Sequence, residues 1–146
     1  MAPRLFALWA LIAGPFWFSA ATGGPDGLHL HAVFHPVYIS FAVGAILVLL
    51  GLRSATSSRA VRGLTLALVI AQAAAIAGQV GEEIAVLQHG GLSAGKEVFE
   101  NPLHMTSAWV TIPGLMPSQI LLIALTIAAV LVMRAEHRLA AAPSHV

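Results

Sequence analysis

Four apolar runs divide this chain. They are "LFALWALIAGPFWFSAA" from Leu5, "PVYISFAVGAILVLLGL" from Pro36, "LTLALVIAQAAAIAGQVGEEIAVL" from Leu64, and "LHMTSAWVTIPGLMPSQILLIALTIAAVLVM" from Leu103. A helix needs about 17–25 mainly apolar residues to cross a bilayer, and each run meets that length. The pattern predicts an all-α, small polytopic membrane protein folded as an antiparallel four-helix transmembrane bundle, since backbone in lipid must satisfy its own hydrogen bonds. The expected spans are roughly 5–21, 32–52, 63–87 and 106–133, with a Pro/Gly break at 113–117 and a polar tail at 134–146, all within a single transmembrane domain, 1–146.

Three details stay open. The first run reads as a retained span bent at Pro15 or as a signal peptide, with Ser19 and Ala21 as small residues before a cut. The second run starts either at Pro36, a residue suited to the first helical position, or further back near Leu28. The fourth run is too long for one straight crossing at about 1.5 Å per residue. Its part before Pro113 is expected to be amphipathic or loosely wound near the surface, with the true span from about Pro117.

Composition agrees with the pattern. The chain is 58% hydrophobic and 9% charged, against about 25% charged in ordinary soluble domains. A net charge of +1, with basic residues scattered through short loops, excludes a nucleic-acid partner. The absence of cysteine excludes disulfides, thiolate metal sites, cysteine nucleophiles and covalent haem attachment.

Charge also orients the chain. With a cytoplasmic N-terminus, Arg4, Arg53, Arg59, Arg62, Arg134 and Arg138 all fall inside, leaving Lys96 as the single outer basic residue of seven. This satisfies the positive-inside rule for short loops. It gives a multi-pass protein of a cell inner membrane or plasma membrane with both termini cytoplasmic. The outer end then collects Asp26, Glu82, Glu83, Glu97 and Glu100 together with His29, His31, His35, His89 and His104.

Depth makes some of these residues candidates for chemistry. Glu82 and Glu83 lie inside the third run, where an unpaired charge is costly. At 100° per residue, Gln72, Gln79 and Glu83 fall within about 40° of one another, and Glu82 lies to one side, in line with His89. His31, His35 and Tyr38 share a face if the second helix continues back past Pro36. Histidines at i and i+4 can reach one metal ion. His104 would join this layer from the fourth run. His31, His35, Glu82, Glu83 and His104 are therefore the candidate metal ligands, and His35 with His104 the candidate axial pair for haem b. Imidazole plus carboxylate suits a transition metal such as Fe, Cu or Zn. No Glu-x-x-His occurs, which argues against a two-iron centre. Gly44 and Gly78 are positions where a slot for a macrocycle could open.

The expected function is a membrane-embedded transition-metal or haem-binding protein with a His/Glu site at its outer end, serving electron transfer. Two alternatives stand beside it: an accessory or structural subunit of a larger membrane complex, and a metal-dependent membrane enzyme acting on a lipid-soluble substrate through Glu/His acid–base chemistry. A transporter ranks lower, because four spans without an internal repeat are few for alternating access. Expected partners are the lipid bilayer and either other membrane subunits or further copies of the chain.

Overall fold

The computed structural model describes residues 1–22 and 31–141, with the side chains of Thr22 and His31 outside that description. Asp26, His29 and His145 lie outside the described residues. The described chain is helical throughout its elements and contains no strand. Four of its helices are long and apolar enough to cross a membrane: Ala2–Ala21, Ala32–Ser54, Arg59–Gln88 and Pro102–Ala140.

The first of these is not uniform. It comprises α1 (Ala2–Leu8), a π-helical turn over Trp9–Ala13, and α2 (Gly14–Thr22). Pro15 explains the wide turn, since it lacks an N–H and its ring would strike the carbonyl of Leu11 in a regular helix. Gln119 donates to the Ile12 carbonyl (3.2 Å), and Trp9 Nε1 donates to Thr126 Oγ1 (3.1 Å). Both bonds tie the turn to the last helix.

The next helix, α3 (His31–Ser54), continues through Pro36 and so begins before it. Pro36 is exposed and is the sixth residue of the helix, so its missing N–H costs one bond, to the Ala32 carbonyl near the helix start. The third long helix, α4 (Arg59–Gln88), is capped by Ser58, whose side chain accepts from the Val61 N–H (3.4 Å). The loop after it contains 3-10 turns at Gly91–Ser93 and Lys96–Glu100.

The fourth apolar run forms α5 (Pro102–Thr111), a 3-10 turn over Ile112–Gly114, and α6 (Met116–Ala140). The segment before the break is a regular helix packed against α4 with His104, Ser107 and Thr111 buried, where the sequence suggested an amphipathic or loosely wound segment near the surface. Asn101 caps it by accepting from the N–H groups of Leu103 (2.8 Å) and His104 (3.3 Å), and Pro102 occupies its first turn. At the break, Ser118 Oγ donates to the Pro113 carbonyl (3.0 Å) and Gln72 Nε2 to the Gly114 carbonyl (3.3 Å). These bonds satisfy backbone freed by Pro117, as interrupted membrane helices require. The helix α6 runs on to Ala140, past the expected start of the tail at 134.

Most buried positions share one spacing, with Ala13, Ala71, Gly78 and Ala85 buried beside it. Buried positions advance alternately by three and four: Leu5, Leu8, Ile12 and Pro15; then His35, Tyr38, Ala42, Ala45, Leu49 and Leu52; then Val61, Thr65, Leu68, Gln72, Ala75, Gln79, Glu82 and Val86; then His104, Ser107, Thr111, Gly114 and Ser118. That is the 3.5-residue seam of knobs-into-holes packing. Large apolar residues such as Leu47, Ile70, Ile120 and Ile127 point outward. The core of leucines and alanines sits toward the end that carries Arg53 and Arg59, whereas the opposite end of the seam is polar.

Glycines set the spacing between α4 and α5. A methyl added to Gly78 would strike Thr111 Oγ1 and stand 2.6 Å from both Ser107 O and Thr111 N. One added to Gly81 would strike the Ser107 hydroxyl, and one added to Gly114 would strike Ala75. Gly44 seats the side chain of Leu11. Gly44 and Gly78 therefore close helix contacts and open no slot.

Candidate metal centre

Three helices each bring one ligating side chain to the polar end of the seam. His35 comes from the second turn of α3, Glu82 from the last third of α4, and His104 from the first turn of α5. All three are buried, and each offers a donor atom within 4.8 Å of the other two. Two ligands of a tetrahedral ion, each about 2.1 Å from it, stand roughly 3.4 Å apart, so the three donors would draw closer together on a common ion. The Glu82 Oε2 to His104 Nε2 distance, 3.8 Å, is too long for a direct hydrogen bond.

A second layer of polar groups orients these side chains. His35 Nδ1 lies 2.7 Å from Gln79 Oε1. An amide oxygen can only accept, so Nδ1 carries the proton and Nε2 keeps the lone pair that binds metals. Gln79 Nε2 donates to Glu82 Oε1 (3.1 Å) and to Thr111 Oγ1 (3.4 Å), and Thr111 Oγ1 in turn donates to Glu82 Oε1 (2.6 Å). Two donors thus hold one carboxylate oxygen and leave Oε2 on the side of His104. The His104 ring packs edge-on against Phe99 (centroids 5.3 Å apart) and against His35 (6.2 Å).

Beside the triad lies a partly open cavity of about 330 Å³. Its walls carry His35, Glu82 and His104 on one side and Phe16, Phe34 and Phe99 among the apolar groups.

Of the five candidate ligands, the fold brings together His35, Glu82 and His104. Glu83 is half-buried and stands outside this cluster, and its Oε2 has no hydrogen-bond partner among the described residues. His31 heads α3 at the position expected for a shared face with His35, with its side chain outside the description. His89 ends α4 and bonds through Nδ1 to the Ala85 carbonyl (2.8 Å), the behaviour of a helix end. Gln72 bonds to Ser118 Oγ (3.0 Å) and Gly114 O, joining helices as expected of interhelical glue. Sequence reasoning missed Thr111 as a site residue. Its signal was the spacing His104, Ser107, Thr111, one face of α5. Comparison of the chain with family models, with curated proteins and with solved structures finds no match.

Proposed function

We propose that this protein spans a membrane as an antiparallel four-helix bundle and binds a single divalent transition-metal ion through His35, Glu82 and His104. The observation that carries the reading is the convergence of three buried donors, one from each of three helices, within 4.8 Å. Helix order supports the bundle. Arg53 Nη1 bonds to the Arg62 carbonyl at one end of α3 and α4, while His35 meets Gln79 toward the other. Gln72 meets Ser118, Gln79 meets Thr111 and Glu82 meets His104 in reversed order along α4 and its partner helices. The six arginines at one end and the metal layer at the other support a site on the outer side with both termini cytoplasmic.

Two imidazoles and one carboxylate form the ligand set of mononuclear non-haem iron and of three-ligand zinc sites, both of which keep open positions. A bare ion is preferred to haem b. The Glu82 carboxylate stands within 4.8 Å of both imidazoles, where a macrocycle would have to pass. The 330 Å³ cavity also lies at the low end of the roughly 300–1,000 Å³ of small-molecule sites. A bound ion with open positions suits a redox or Lewis-acid role in the membrane.

Elemental analysis of detergent-purified protein tests the reading. One equivalent of metal is expected in the wild type and in Glu83→Gln. At least a tenfold loss is expected in His35→Ala, Glu82→Gln and His104→Ala. A wild type free of metal after dialysis against Fe(II), Zn(II) and Co(II), or a Glu82→Gln variant of full occupancy, would reject it.

A further inference from the structure

The cavity beside the triad has a wall that the metal site does not need. Phe16, Ser19 and Ala20 line it from α2, and Phe34, Phe99 and Leu115 from the rest of the chain. The helix α1 and the π turn carry contacts to α3, and the π turn also to α6. The upper part of the same span lines the cavity. Trp17 and Phe18 face outward from that same stretch, so the wall is a single helix thick.

The lining has a definite chemistry. Three phenylalanine rings and Tyr38 present faces and edges that favour a planar aromatic guest by offset or edge-on stacking. Phe34 already packs at 5.7 Å from Tyr38, and Phe99 at 5.3 Å from His104. Apart from Ser19 and Tyr38, the polar groups of the lining are the triad and its partners Gln79 and Thr111. A three-ligand ion there has open positions that take an oxygen donor.

We propose that the cavity receives the ring of a lipid-soluble phenol or hydroquinone, with its hydroxyl oxygen directed to the metal held by His35, Glu82 and His104. This rests on the metal reading above and adds the class of ligand. About 330 Å³ accommodates one substituted ring.

The probe is trimethylhydroquinone added anaerobically to Co(II)-loaded protein in detergent, followed through the visible Co(II) bands. Saturable movement of those bands is expected. Mesitylene, which has the ring but no hydroxyl, is expected to leave them in place. Ala108→Phe, which fills the cavity from α5, is expected to weaken the hydroquinone at least tenfold while Co(II) stoichiometry stays at one. Bands that do not move with hydroquinone, or that move equally with mesitylene, would overturn the inference and leave the metal reading intact. Equal hydroquinone affinity in Ala108→Phe would overturn the assignment to this cavity. Failure of the wild type to take up Co(II) would remove the metal reading and this inference with it.

Discussion

His35 Nδ1 and Gln79 Oε1 stand 2.7 Å apart, and this bond from α4 sets the tautomer of a histidine on α3. Partners of this kind orient the ring and raise the basicity of its other nitrogen. Gln79 also grips Glu82 with its amide N–H (3.1 Å), so one residue positions two of the three proposed ligands.

Gln79→Ala should therefore weaken metal binding without removing a ligand. Loss of an outer-shell partner typically costs about 10–100-fold in affinity. Competition with a chelator of known affinity measures this. Gln79→Glu retains an acceptor for His35 and is expected to recover part of the loss, which a purely structural role for Gln79 would not produce.

Glycine spacing gives a paired test. In Gly78→Ala the new methyl meets the Ser107 carbonyl and the Thr111 N–H, backbone groups that cannot swing aside. Overpacking of this kind costs about 1–3 kcal/mol, and pushing α5 outward should also lower metal affinity through His104. Gly63 has nothing within 4 Å of an added methyl. Gly63→Ala should be neutral or stabilise by up to about 1 kcal/mol. Thermal unfolding in one detergent compares the two, and equal shifts would contradict the close-packing account.

The chain contains no cysteine, so single cysteines report sidedness without background. Ser57 and Ser93 are both exposed, in the loops at opposite ends of α4. Ser93→Cys should react with a membrane-impermeant maleimide on intact cells, and Ser57→Cys only after lysis. The opposite pattern would invert the proposed orientation.

The loop before α5 carries a pH-dependent contact. Glu97 is exposed, and its own backbone N–H and that of Gly95 (3.0 Å) hold its carboxyl below the ordinary carboxylate range. A lowered carboxyl favours the folded loop above its ordinary value and loses that contribution as pH falls through the lowered one. The Gly95 amide should thus stay protected from hydrogen exchange across neutral and mildly acidic pH and lose protection below the usual carboxylate range. Glu97→Gln should remove the pH dependence.

Sequence reading located the His/Glu layer and named both Glu82 and Glu83 in it, and the difference between the two shows where such reading stops. At 100° per residue Glu83 aligns with Gln72 and Gln79, and Glu82 falls to one side. The packed helices follow a 3.5-residue repeat instead. On that repeat Glu82 takes the place of Leu68 and Ala75, both buried, and Glu83 that of Val69 and Ile76, both half-buried. The two periods differ by only about 20° per heptad, so which glutamate is buried is decided by where the neighbouring helices lie: Thr111 and His104 of α5 meet Glu82 and leave Glu83 half-buried. The repeat is a property of helices packed together, so one helix read alone does not reveal it.

By itself, the sequence determined the helical class, the four stretches long enough to cross a membrane, and the end at which histidines and acids gather. These follow from local quantities: apolar run length, the cost of buried backbone, and the order of charges along the chain. Only the tertiary structure decided that α3 begins at His31 and runs through Pro36. It likewise decided that Glu82 joins His35 and His104, and that Thr111 and Gln79 hold the carboxylate. Those outcomes depend on how closely α4 and α5 approach at Gly78 and Gly81, a distance set by side chains on two helices at once.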